Sequence, residues 1–269
     1  MSREPIISSL QHTDVKLIKS LSRRKERMEM GLFVIEGTRF VEEAAEAHAP
    51  IIKVFYTAQL LKSDRGASLV DKLYQRGIFL QEVTIPVMDK MADTERPQGI
   101  LATIKISRSV MPALDQIQPL ILVCDKIQDP GNLGTIIRTA DAAGVDAIFT
   151  TVGTVDIYNP KNLRATMGSI FHVPIFPDLE PADILQDLRK HRITPIGATL
   201  GARKWHFEVD YQCPIAFWLG NEGAGIDEDV VAALAEQVKI PMPGRSESLN
   251  VSVAASILIY ECVRQRMVD

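Results

Sequence analysis

Short runs of apolar residues alternate with helical segments through the second half of the chain, and few architectures tolerate that pattern. "LILVCDKI" (residues 120–127) opens on five apolar residues in a row. A strand reads that way when both of its faces are covered, as in a parallel sheet. "AIFTT", "VPIF", "ITPIGATL", "PIAFWLGNE" and "VKIPM" follow as further strands. Between them lie "NLGTIIRTADAAG", "NPKNLRATMGSIF", "ADILQDLRKHR" and "IDEDVVAALAEQ". The alternation predicts an α/β unit with a mostly parallel sheet covered on both faces. The last segment, "RSESLNVSVAASILIYE" (245–261), carries no charge from Val251 to Ile259, and its only hydroxyls there are Ser252 and Ser256. Ser248 or Asn250 is placed to cap this helix. A helix apolar almost all round is expected to be buried.

The first part of the chain alternates as well. "LFVIE", "IIKVFYT", "IFLQEV" and "GILATIKI" read as strands, with "GTRFVEEAAEAH", "SLVDKLYQRG" and "PVMDKMAD" as helices between them. This predicts a small α/β domain over residues 1–106. "SRSVMPALDQIQP" has no clear period and holds two prolines, so residues 107–117 read as a linker and 118–269 as the second domain.

Composition narrows the class. Hydrophobic residues make up 46% and charged residues 24%, enough to bury a proper core. No apolar run approaches the roughly 20 residues of a membrane helix, and the N-terminus lacks the apolar core of a signal peptide. Cys124, Cys213 and Cys262 are far apart, and the histidines have no ligand spacing. No metal site and a reducing, cytoplasmic setting are therefore expected. The net charge of −4 invites no polyanion globally. "KLIKSLSRRKER" is the exception, with six basic residues (Lys16, Lys19, Arg23, Arg24, Lys25, Arg27) and one acidic one. It reads either as a solvated helix face or as a phosphate-contacting patch.

Three loops follow predicted strands, where open α/β sheets bind ligands. "DKIQDPGNLGTIIRTA" contains a turn signal and Asn132, which reads as a helix cap or a site residue. Arg138 follows within the same helix, either snorkelling or pointing into a site. "FWLGNEGAGI" has glycines at 220, 223 and 225, in neither Rossmann nor P-loop spacing. Glu222 among them would repel a pyrophosphate and suits a hydrogen-bond donor or a cation. The third loop is "IPMPGRSESLNVSVAA".

"NLGTIIRTA", "LGNEGAGI" and "IPMPGRSESLNVSVAAS", in this order and spacing, resemble the three motifs of the SpoU family of RNA ribose 2′-O-methyltransferases. The resemblance spans residues 118 to 269. "GLFVIEGTRFVEEA" and "TERPQGILA" resemble, less specifically, the RNA-binding substrate domain fused to many members, which has the fold of a small ribosomal protein. The resemblance implies a deep C-terminal trefoil knot, S-adenosylmethionine as cofactor, and a homodimer through the C-terminal helix and knot region. It places Arg138, Asn132, Glu222 and Asn250 in the active site. Gly220, Ile240 and Leu249 become cofactor contacts, with Thr199, Leu219 and Ser248 beside them. In that setting Glu222 would hold Arg138 or a donor, and the two asparagines would orient loops and substrate. Structured RNA is the implied substrate, large-subunit (23S) ribosomal RNA ahead of transfer RNA. Two other classes compete: a dinucleotide-dependent oxidoreductase, which lacks its G-x-G-x-x-G here, and a non-catalytic RNA-binding assembly factor, which would not need the three loops.

Overall fold

The apolar runs become strands close to where the sequence places them. The computed structural model describes residues 5–107, 109–112 and 118–267, so much of the expected linker lies outside the described residues. The chain divides into two compact units. One runs to Ser107 and takes in Tyr158–Leu163; the other holds the rest of the described chain.

The first unit opens with α1 (Thr13–Ser20) and α2 (Arg24–Met30), then β1 (Leu32–Glu36), α3 (Thr38–Glu46), β2 (Ile51–Tyr56), α4 (Asp64–Gln75), β3 (Leu80–Glu82), α5 (Ile85–Met91) and β4 (Ile100–Lys105). Its sheet runs β1-β4-β2-β3. β4 is antiparallel to both β1 and β2, while β2 and β3 are parallel. Val15 and Ile18 of α1 pack with Val87, Met88 and Met91 of α5 and with Phe55 and Leu101 of the sheet. Each such fully buried aliphatic contributes about 1.5–3 kcal/mol relative to exposure.

The second unit contains β5 (Leu120–Cys124), α6 (Pro130–Ala142), β6 (Ala147–Thr151), α7 (Pro160–Thr166), β7 (Ile175–Leu179), α8 (Pro181–Lys190), β8 (Thr194–Ala198), β9 (Lys204–Trp205), β10 (Ile215–Leu219), α9 (Glu228–Ala233), β11 (Glu236–Lys239) and α10 (Val251–Met267). α7 straddles the division between the units. The sheet order is β7-β6-β5-β10-β8-β11-β9, and every pairing in it is parallel. β5, β6 and β10 are buried at every residue, as their unbroken apolar runs require. The two-residue β9 has no counterpart in the sequence pattern, because so short a strand carries no periodicity.

α10 corrects one expectation. Ser252, Ala255, Leu258, Ile259 and Cys262 are buried, and the helix packs on α6. Val253 and Tyr260, at 46% and 49% exposure, face outward. Its far end is tied down by Arg266, which donates to the carbonyls of Gln118, Tyr211 and Cys213 at 2.7–2.9 Å.

Candidate functional site

Because β5, β10, β8 and β11 are adjacent and parallel, their carboxyl ends share one edge of the sheet. Thr199, Gly220 and Ile240 each stand one residue beyond the last residue of β8, β10 and β11. Leu219 is the buried last residue of β10. Ile240, expected within a strand, thus lies in the loop. Thr199 is held by its N–H donating to Val238 O at 3.0 Å and its hydroxyl to Gln237 Oε1 at 3.2 Å. Ser248 is exposed and Leu249 half-buried, immediately before α10. Within that loop the Ser248 carbonyl accepts from Ser246 Oγ at 2.8 Å.

One series of hydrogen bonds joins the three loops. Glu222 accepts from the Asn132 amide at 3.0 Å, and from the backbone N–H groups of Gln128 and Asp129 at 3.0 and 3.1 Å. Asn132 Oδ1 accepts from Asn250 Nδ2 at 2.8 Å. Asn250 Oδ1 in turn accepts from the Ser252 N–H at 2.9 Å and its hydroxyl at 2.6 Å, which caps α10. Burial works against the Glu222 carboxylate. The donors from Gln128, Asn132 and Asp129 outweigh it and hold the carboxyl below its ordinary range. Asn132 is therefore not the cap of α6. Asp129 is, accepting from Gly131 N and Asn132 N at 2.7 and 3.0 Å with Pro130 behind it. The amide of Asn132 is freed to span two loops.

The glycine-rich loop folds on itself. Asn221 and Gly225 exchange two backbone bonds at 2.9 and 3.0 Å. A Cβ on Gly220 would lie 2.4 Å from the Gly225 carbonyl carbon, so the loop's own backbone excludes a side chain there. Sequence reasoning misses Asn221, although an asparagine between glycines is an Asx-turn signal. Its Oδ1 accepts from Gly223 N and Ala224 N, both at 2.9 Å, and its amide donates to Lys126 O at 2.8 Å. Lys126, with a left-handed φ of 53°, ion-pairs with Asp227 across the same two loops. Beneath them, buried Asp125 accepts from Thr151 Oγ1 at 2.7 Å and Trp218 Nε1 at 2.9 Å. No local pattern marks this network, because its members are far apart in sequence.

Arg138 lies about two turns into α6 and is exposed. Among the described residues none hydrogen-bonds or ion-pairs with it. Glu222 thus holds a donor, Asn132, and not Arg138. The helix face is set by Thr139, whose hydroxyl lies 3.3 Å from Ser256 Oγ on α10.

The basic run divides. Lys16 and Lys19 are exposed on α1, and Arg23, Arg24 and Lys25 at the start of α2. Arg23 pairs with Glu26 at 3.0 Å and Lys25 with Glu29 at 3.7 Å. Arg27 does not belong with them. It is 3% exposed, and its guanidinium donates to Leu21 O and Ser22 O at 2.7 and 2.8 Å. A single cation there satisfies the carbonyls left open where α1 ends.

Residues 119–260 match the SpoU rRNA Methylase family. The chain belongs to that family. Residues 12–102 of this SpoU family chain match the MRM3-like substrate binding domain. The 23S rRNA (guanosine(2553)-2'-O)-methyltransferase RlmP of Bacillus subtilis (strain 168) is 35% identical over 254 residues, covering 94% of this chain and 97% of that protein. The AdoMet-bound rRNA methyltransferase from Sinorhizobium meliloti is 29% identical, with a TM-score of 0.85 over 98% of this chain and 99% of that one. The SpoU methyltransferase AviRb from Streptomyces viridochromogenes, in complex with AdoMet, is 25% identical, with a TM-score of 0.86 over 96% and 100%. The three loops joined through Glu222, Asn132 and Asn250 are the stretches that carry the SpoU motifs.

Proposed function

We propose that this protein transfers a methyl group from S-adenosylmethionine to a ribose 2′-hydroxyl of large-subunit ribosomal RNA. The observation that carries the reading is the hydrogen-bonded series from Glu222 through Asn132 to Asn250, which gathers three loops at the carboxyl ends of adjacent parallel strands. A purely RNA-binding factor has no use for that arrangement, and a dinucleotide enzyme lacks its glycine fingerprint here. The relative named for 23S rRNA matches nearly end to end, which favours ribosomal over transfer RNA. The test is incorporation of tritium from methyl-labelled S-adenosylmethionine into a 23S rRNA transcript. A product resistant to alkaline cleavage at one phosphodiester is expected, and a labelled base instead of a ribose would overturn the reading.

The residues present fit the cofactor. Backbone at Thr199, Gly220 and Ile240, just beyond the strand ends, would offer polar groups to a nucleoside, and half-buried Leu249 an apolar face, with Leu219 packed beneath and Ser248 beside them. When bound, S-adenosylmethionine supplies a methyl group activated by a sulfonium. The chain's own contribution is positioning, which is worth several kcal/mol when reacting groups are held in near-attack geometry. Arg138, an exposed cation whose planar fork of donors matches phosphate geometry, serves as a clamp on a phosphate or on the developing oxyanion. Asn132 and Asn250 keep the loops in register, and Glu222, held anionic, anchors the turn before α6. No metal is assigned a role, and among the described residues no cluster suited to one occurs.

The domain roles follow: residues 1–106 bind RNA, 107–117 link, and 118–269 bind cofactor and catalyse in the cytoplasm. Lys16, Lys19, Arg23, Arg24 and Lys25 form the electrostatic contact, without Arg27. Lys16→Glu with Lys19→Glu should lower RNA affinity and flatten its dependence on salt by about two counterions. An unchanged salt slope in filter-binding titrations assigns α1 to a solvated face. The outward Val253 and Tyr260 of α10 support a homodimer, and membership of the SpoU family supports a trefoil knot in the last strands. A stable monomer in light scattering at micromolar concentration would reject the dimer.

Gly220→Ala should lower the melting temperature and weaken cofactor binding at least tenfold, because the added Cβ meets Gly225 backbone at 2.4 Å. Gly223→Ala, whose Cβ meets nothing closer than 3.7 Å, should bind within twofold of the parent. Calorimetry with S-adenosylmethionine compares the two, and equal affinities would remove Gly220 from the site.

A further inference from the structure

The first unit contains a cavity of about 360 Å³ that none of the candidate site residues lines. Its walls come from Thr38 at the start of α3, Thr57 and Leu60 after β2, Met88 and Asp89 on α5, and Gln98 with its neighbours before β4. Two short sequence motifs, "EGTRF" and "TERPQG", meet there. Glu36 accepts from Asp93 N at 2.9 Å, and Gln98 Oε1 accepts from Thr38 N at 2.9 Å, so the two loops hold each other. Gln98 is left with an amide that has no acceptor among the described residues.

Thr57 is 3% exposed and lines the cavity, yet its hydroxyl has no hydrogen-bond partner among the described residues. The hydroxyl oxygen opens into the cavity and is available there to a ligand or to water. Gly99, at φ 79°, keeps the hydroxyl uncovered: a Cβ there would lie 2.6 Å from Thr57 Oγ1. The remaining surface combines apolar Leu60, Ile85, Met88 and Pro97 with acceptor Asp89. Apolar walls interspersed with hydrogen-bonding groups suit an aromatic heterocycle. Arg39 and Arg96, each next in sequence to a lining residue, are exposed and form no ion pair among the described residues. They supply cations for flanking phosphates.

We infer that this cavity takes one unpaired nucleobase of the RNA substrate, with Thr57, Asp89 and Gln98 reading its edge and Arg39 and Arg96 engaging the phosphates beside it. Sequence-specific RNA recognition works on such splayed-out bases. The inference rests on the RNA reading above and adds a second, separate point of contact that fixes which region of the RNA is presented.

The test uses the full chain and a 23S rRNA transcript. Thr57→Val removes the hydroxyl at constant shape and should raise the Kd for the transcript at least fivefold in filter binding. Thr57→Ser should restore it, and Asp89→Ala, at an exposed position, should raise it separately. S-adenosylmethionine affinity, measured in parallel, should stay within twofold in all three. A transcript carrying 4-thiouridine should crosslink to peptides spanning residues 85–98. Unchanged RNA affinity in both Thr57→Val and Asp89→Ala, or crosslinks confined to other peptides, would overturn the assignment. Methyl transfer by the parent protein is scored apart: its absence rejects the enzymatic reading, while the affinity ratios decide the cavity.

Discussion

Arg138→Ala should lose methyl transfer by about 10²–10³-fold in kcat, the typical cost of removing one group that stabilises a developing oxyanion. S-adenosylmethionine affinity should not move, because Arg138 stands on α6 and not at the β8, β10 and β11 ends. Stability should hardly change either, since the side chain is exposed and makes no ion pair or hydrogen bond among the described residues. That freedom favours a functional reading over a structural one: a long cation held by nothing among the described residues is available to substrate. Arg138→Lys divides the two chemical roles. Lysine keeps the charge but loses the planar fork, so a clamp predicts activity near that of the alanine variant at every pH. Activity that climbs with pH in the lysine variant would make the residue a base. Single-turnover methylation measures all of this, and near-normal transfer by Arg138→Ala would reject Arg138 as a participant.

The second large effect is expected at Asn132. Asn132→Ala removes both the donor to Glu222 and the acceptor for Asn250, disconnecting three loops at once. Losing hydrogen bonds at an exposed site costs about 0.5–1.5 kcal/mol, and a misplacement near 1 Å at the reacting centre can cost 10²-fold in rate. A melting point lower by several degrees and a drop in kcat of about 100-fold should appear together. Glu222→Gln tests the same series through pH. The Glu222 carboxyl is held below its ordinary range, so its contribution to stability is complete above the unfolded carboxylate pKa and fades as pH falls through the lowered folded value. The stability gap between the parent and Glu222→Gln should therefore be widest near neutrality and close in acid. Denaturant titrations at several pH values measure it. A gap that does not narrow in acid would place the Glu222 contribution in packing. In a double-mutant cycle, Asn132→Ala and Glu222→Gln should be non-additive, as residues in one hydrogen-bond series are.

Local pattern is enough to read most strands and helices of this chain, though not the two-residue β9, and also the parallel character of its larger sheet and the three loops at the strand ends. An apolar run without polar interruption, such as Leu120–Cys124, fits a strand covered on both faces. The motifs around Asn132, Glu222 and Asn250 are likewise contiguous stretches, so their resemblance to the SpoU family is legible in the amino-acid sequence alone. Tertiary structure decides how those stretches are used. Asn132 reads locally as a helix cap, but Asp129 takes that place, and Asn132 reaches residues 90 and 118 positions away. Arg27 reads as one more cation in a basic run, and only the turn between α1 and α2 reveals two carbonyls waiting for it. Gly220 is a cofactor contact only by resemblance to the family, and the first thing an added side chain there would strike is the loop's own Gly225. Thr57, just past a plain strand end, gives no local sign of its open hydroxyl. The physical reason is the same each time. Secondary structure follows from the periodicity of neighbours, but a polar side chain's role depends on which donors and acceptors the folded backbone leaves unmatched, and those are set by strand order and long-range register.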